Sequence, residues 1–154
     1  MMGTTRARPV DRVLAADSSI AGAGAMGRDE QAIRNVVARW HKATADGDVG
    51  AVLALMADDV VFLVAGKPPM RGREAFERGL RTLLASHRIE STGEIQEVEV
   101  DGNLAYCWAT LDVRLVPLGS GAATIRNGNT LSIFRRQTSG DWVLYRDANL
   151  LPTA

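Results

Sequence analysis

The hydrophobic period of the chain changes near residue 87, and that change limits the folds open to it. Upstream, apolar residues recur at helical spacing. Downstream they alternate with polar residues through four segments. Asp29 is a plausible N-cap for a first helix carrying Ile33, Val36, Val37 and Trp40, with Gly47 as its C-terminal stop. Asp48 caps a short second helix with Val49, Val52, Leu53 and Met56 on one side. Asp58-Asp59 breaks that helix, and the β-branched run at 60–64 predicts a strand. The Gly66 to Pro69 turn ends it, and a third helix over about 72–86 buries Phe76, Leu80, Leu83 and Leu84. Strands follow near 89–100, 104–117, 124–137 and 142–150, separated by turn formers at 101–103, 119–121 and 139–141. Helices first and hairpins afterwards define an α+β arrangement rather than alternating βαβ units. A long antiparallel meander must bury one face, and three amphipathic helices supply the cover.

Length and charge narrow the partners. With 154 residues the chain suits one domain with a sizeable core. Eighteen basic and eighteen acidic residues give zero formal net charge, so nothing drives the chain generally toward nucleic acid or an anionic membrane. Cys107 is the only cysteine, which excludes an internal disulfide and a cysteine metal cluster. His41 and His87 are far apart, so no metal site is expected. Residues 1–27, rich in Gly, Ala, Ser and Thr, are expected to form a flexible leader, with a short helix conceivable over 9–16, ahead of a domain spanning 28–154. The leader lacks the uninterrupted apolar core of a signal peptide, and no apolar run approaches the roughly 20 residues that span a bilayer. The expectation is a soluble cytoplasmic protein.

Particular residues carry a family likeness. Trp40, Asp46-Gly-Asp48, the segment from Leu55 through Asp58-Asp59 to Phe62, Met70-Arg-Gly72, Phe134 with two arginines, Asp141-Trp142 and Arg146-Asp-Ala-Asn149 together resemble the nuclear-transport-factor-2-like superfamily. More narrowly they resemble the SnoaL-like small proteins, including those of polyketide and enediyne gene clusters. The likeness spans about residues 29–151. It implies a cone-shaped half-barrel: a strongly curved antiparallel sheet with three N-terminal helices closing a pocket. It also implies a homodimer formed through the outer sheet face. Isomerases, cyclases, dehydratases, epoxide hydrolases and non-enzymes all use this fold, so the fold alone does not give function. Against the ketosteroid isomerase pattern, Trp40 falls at the tyrosine, Val64 at the aspartate base, and Ser132 near the third functional position. Val64 cannot abstract a proton, so that chemistry is not expected here.

The same alignment phases the strands. It turns Tyr106, Trp108, Thr110 and Asp112 inward, with Cys107, Ala109, Leu111 and Val113 outward. It also turns inward Thr130, Ser132 and Phe134, then Tyr145, Asp147 and Asn149, leaving Trp142, Leu144 and Arg146 outside. From the helical side Trp40, Met56, Phe62, Val64, Phe76 and Leu80 complete a chamber lined by aromatic side chains, while His41 points about 100° away from Trp40 toward solvent. Asp147 and Asp112 are the candidate acid/base groups, since an inward carboxylate beside aromatics loses hydration and its pKa rises. The alternative for each is neutralisation by Arg114, Arg126 or Arg146. Tyr106 and Tyr145 are candidate donors to an enolate or carbonyl oxygen, or else core tyrosines. Asn149 could orient a ligand carbonyl. The function expected is cofactor-independent cyclase-, isomerase- or dehydratase-like chemistry on a small apolar or polyketide-like ligand. Two alternatives stand beside it: a non-catalytic binding protein, and an assembly module with a closed cavity.

Overall fold

The computed structural model describes residues 11–152, with side chains described from Gly27 onward. Helix α1 (Asp11–Asp46) leads through Gly47, whose φ of 67° suits glycine, into the single-turn α2 (Val49–Leu53). Asp48 caps α2 as expected, accepting from the Ala51 amide at 3.1 Å. There follow β1 (Met56–Val64), the two-residue β2 (Met70–Arg71) and α3 (Arg73–Leu84). The meander comes last: β3 (His87–Asp101), β4 (Leu104–Pro117), β5 (Thr124–Arg136) and β6 (Trp142–Asn149).

The four strands and three helices expected from periodicity are all present, within a few residues of their expected limits except for the start of the first helix, and the strand expected at 60–64 is the core of β1. Four local expectations change. Asp29 lies inside α1 rather than at its N-cap, and its carboxylate instead accepts from Trp142 Nε1 at 3.2 Å and an Arg136 nitrogen at 3.4 Å, tying the helix to β6. Met56 opens β1 instead of closing α2. Asp58-Asp59 sits within that strand, where its pairing shifts register between Met56 and Val61. The irregularity turns both aspartates to solvent, and they pair with Arg73 at 2.8 Å and Arg135 at 3.0 Å. β2, too short to carry a period, was not expected. The leader expected over 1–27 falls partly outside the described residues, and α1 begins at Asp11.

The strands form one curved, unclosed sheet in the order β2-β1-β6-β5-β4-β3. Every neighbouring pair is antiparallel except β1 with β6. Ile33, Val52, Met56 and Val60 are the largest fully buried side chains and anchor the helices at one end of the sheet. Each stabilises the fold by roughly 1.5–3 kcal/mol through burial. α3 is held to β1 by Arg73, which donates to the Met56 carbonyl at 2.7 and 3.0 Å. Packing is thus dense at the Met56 end, and a space remains between the helices and the rest of the sheet.

Candidate functional site

Strand register lays the inner face out in rows. Phe134 of β5 pairs with Leu144 of β6, which is level with Met56 of β1. The next row runs from Cys107 on β4 through Ser132 and Asp147 to Phe62. One step further lie Ala109, Thr130, Asn149 and Val64. Facing these rows from the helices are Trp40, Phe76 and Leu80, and the space between is a cavity of about 660 Å³. Trp40, Phe62 and Phe76 form one aromatic wall, with Phe62 and Phe76 stacked at 4.6 Å between centroids and Trp40 tilted against both.

Of the residues expected to line the pocket, Trp40, Phe62, Val64, Phe76, Leu80, Thr110, Thr130, Ser132, Phe134, Asp147 and Asn149 border this cavity. The others do not. Met56 is wholly buried in the core below it. On β4 the alternation is as expected but the face is reversed: Cys107, Ala109, Leu111 and Val113 line the cavity, while Tyr106 and Trp108 are 37% exposed on the outer face. Thr110, in phase with them, is exposed although it borders the cavity. Asp112 is outside too, accepting from Asn127 at 2.6 Å. Tyr106 donates to Glu97, which pushes its phenol pKa up to about 12. On β6 a bulge leaves Tyr145 without a partner between the Leu144 and Arg146 pairs. It resets the phase, so that Leu144, Asp147 and Asn149 all face in. Tyr145 instead lies between two guanidinium groups, those of Arg146 at 3.7 Å and Arg135 at 4.3 Å from its ring centre. Asp112, Tyr106 and Tyr145 therefore cannot touch a molecule in the cavity.

Asp147 is the one carboxylate among the described residues lining the space. Burial drives its pKa up to about 6, although the hydrogen bond that Ser132 Oγ donates at 2.6 Å pulls the other way. Beside it, the Cys107 thiol is raised to about 11 by burial and stays protonated. That removes any thiolate nucleophile. Asn149 Oδ1 accepts from the Leu151 amide at 2.9 Å, which leaves its NH₂ group as a donor for the cavity.

His41 is the residue that the sequence misplaced most usefully. It lines the cavity with its Nδ1 2.6 Å from Ser91 Oγ, and burial lowers its pKa, favouring the neutral ring. Gly93 makes room for it, since a Cβ there would come within 3.0 Å of His41 Nε2. The signal was present in the spacing of Val37, His41 and Thr44, a stripe beside that of Val36 and Trp40. Arg126 and Lys67 also border the cavity. Among the described residues no group of three or more His, Cys, Asp or Glu side chains could hold a metal ion, and no helix is long and apolar enough to cross a membrane.

Fold and cavity together define a member of the nuclear-transport-factor-2-like superfamily, and the SnoaL-like domain profile matches residues 37–145. The chain belongs to the SnoaL-like family. It is similar to a conserved protein of Planctomyces limnophilus at 37% identity, over 82% of this chain and 98% of that one, with a TM-score of 0.79. A ketosteroid isomerase-like protein of Erwinia carotovora atroseptica shares the fold at 20% identity, over 77% and 92% of the two chains and a TM-score of 0.68. So does a Novosphingobium aromaticivorans protein provisionally assigned as a scytalone dehydratase, at 16% identity, 82% and 84% coverage and a TM-score of 0.72. No curated protein matches the chain.

Proposed function

We propose that this protein binds a small, largely apolar, polyketide-like metabolite in the cavity and moves a proton on it without a cofactor, with Asp147 as the acid/base group. The observation that carries this reading is one inward carboxyl, alone among the described residues, held at a pKa near 6 in an otherwise mostly apolar chamber. At neutral pH such a group is mainly ionised yet basic enough to take a proton from carbon next to a carbonyl. Ser132 fixes one carboxylate oxygen. Asn149, two residues along the same strand and roughly 7 Å away, offers its NH₂ group to the carbonyl oxygen as negative charge develops there. Neutral His41 supplies a second polar group on the opposite wall.

The cavity is not packed shut, which disfavours a pure assembly role. An assembly surface exists in addition: Trp108, Leu131, Ala148 and Leu63 form one cross-strand row on the outer face, and all but Ala148 are well exposed. This row supports a homodimer through that face.

The test uses 2-tetralone, an apolar bicyclic ketone with an acidic α-carbon. Wild-type protein should accelerate deuterium uptake from D₂O into this probe. Asp147→Asn should slow that exchange by about 10²-fold or more while still quenching tryptophan fluorescence on binding. Equal exchange rates in the two proteins would remove Asp147 from the chemistry. Binding without acceleration by the wild type would favour a non-catalytic carrier.

A further inference from the structure

Arg126 is the cavity residue that acid/base chemistry does not use. It lies on the inner face of β5, in register with Val113 of β4, and borders the cavity. Its Nε is buried with no hydrogen-bond partner, and among the described residues the guanidinium forms no ion pair. The other arginine with a buried unpartnered Nε, Arg136, differs in kind, because its outer nitrogen donates to Gly102 O at 2.9 Å and reaches Asp29. Arg126 is thus a half-buried cation facing the cavity, with its Nε–H cut off from water and donors to spare.

Its position is informative. The Thr130–Asn149–Val64 row divides the cavity. Asp147 lies on the core side of that row. On the other side come Arg126, four residues before Thr130, and exposed Lys67, three residues after Val64. These two are the permanent cations among the described residues lining the space, and both sit at the same end of it. Ser132, beside Asp147, is six residues from Arg126 along β5, roughly 20 Å at strand rise. Between the two ends lie Ala109 and Leu111 of β4 and Leu151, which packs over Gly128, while Val113 stands level with Arg126.

We infer that the ligand is an elongated apolar acid whose carboxylate is held by Arg126, with Lys67 nearby, while its apolar body reaches toward Asp147. A guanidinium matches a carboxylate in charge and fork geometry, and such a partner satisfies the buried Nε–H. The orientation follows from charge. The anionic end stays away from the Asp147 carboxylate, and the carbon skeleton is carried into the aromatic end. This inference rests on the proposed binding role of the cavity and names the ligand class for it.

Decanoate and decan-1-ol separate the two claims, because they share an apolar chain and differ in charge. Dissociation constants would be measured by calorimetry at pH 8 for wild type, Arg126→Met and Arg126→Lys, with folding checked by circular dichroism. Wild type should bind decanoate about tenfold or more tightly than decan-1-ol. Arg126→Met should abolish that preference by weakening decanoate alone, and Arg126→Lys should retain part of it. Equal wild-type affinity for acid and alcohol overturns the anion site but leaves the apolar cavity standing. An unaltered preference in Arg126→Met overturns the role of Arg126. Binding of neither probe overturns both the binding role of the cavity and this inference with it.

Discussion

A carboxyl group set between Ser132 and Phe62 loses hydration when it ionises, and the protein carries that cost at neutral pH. The Asp147 pKa is about 6 in the fold against an ordinary value of 3.8. Well below pH 3.8 the group is protonated in both folded and unfolded chains and its ionisation is neutral to stability. As pH rises from about 3.8 to about 6 the unfolded chain ionises while the folded chain stays protonated, so stability is progressively lost, and above about 6 it stays reduced. The gap corresponds to about 3 kcal/mol at pH 7. Asp147→Asn, which keeps an oxygen acceptor for Ser132, should therefore be more stable than wild type at pH 7 by up to that amount. The advantage should shrink as pH falls from about 6 and vanish below about pH 3. Urea unfolding of both proteins across this range checks it, and a stability difference that does not vary with pH would contradict it. The same substitution should stabilise the fold and stop the chemistry, as expected where a site holds a destabilised group.

Individual strands show why the site was only partly legible. Periodicity found the helices and hairpins because each buries one consistent face, and β5 was phased correctly since Thr130, Ser132 and Phe134 alternate without interruption. β4 defeated the same reasoning because both of its faces carry apolar residues, Cys107 and Ala109 inside and Tyr106 and Trp108 outside. Alternation separates two such sets without saying which faces the helices. On β6 the bulge at Tyr145 breaks a period-two reading in mid-strand. Trp142 and Leu144 shift to the inner side in this way while Asp147 stays there. His41 was missed because the cavity spans more than one stripe of α1. The C-terminal segment after β6 gives a further check on this architecture. Leu150 donates to the Asn129 carbonyl at 3.0 Å, and Leu151 is buried against the cavity. The segment crosses directly over Gly128, where a Cβ would lie 3.1 Å from Leu151 Cα and 3.2 Å from Leu150 O. Both obstacles are backbone, so neither can swing aside. Gly128→Ala should cost about 1–3 kcal/mol, read as a lower urea midpoint with an unchanged slope. An unchanged midpoint would show that this segment is not held against β5.

The two faces of the sheet divide the work of the molecule. The inner face is occupied by the cavity, and the outer face presents Trp108, Leu131 and Leu63 at 37%, 41% and 48% exposure in one row, an arrangement that a lone domain would leave in water. Zero net charge does little to keep two such faces apart. The proposed dimer buries this row against its symmetry mate, in a patch that meets itself across a two-fold axis. Placing a carboxylate at its centre should separate the halves, because each dimer would then bury two like charges with no cation between them. Trp108→Glu should sediment as a monomer at concentrations where wild type sediments as a dimer. Because Trp108 points away from the cavity, this variant should retain binding of 2-tetralone and the preference for decanoate over decan-1-ol. Sedimentation velocity over a hundredfold range of concentration decides the matter: a wild type that is monomeric throughout, or a variant that remains dimeric, rules out this face as the interface.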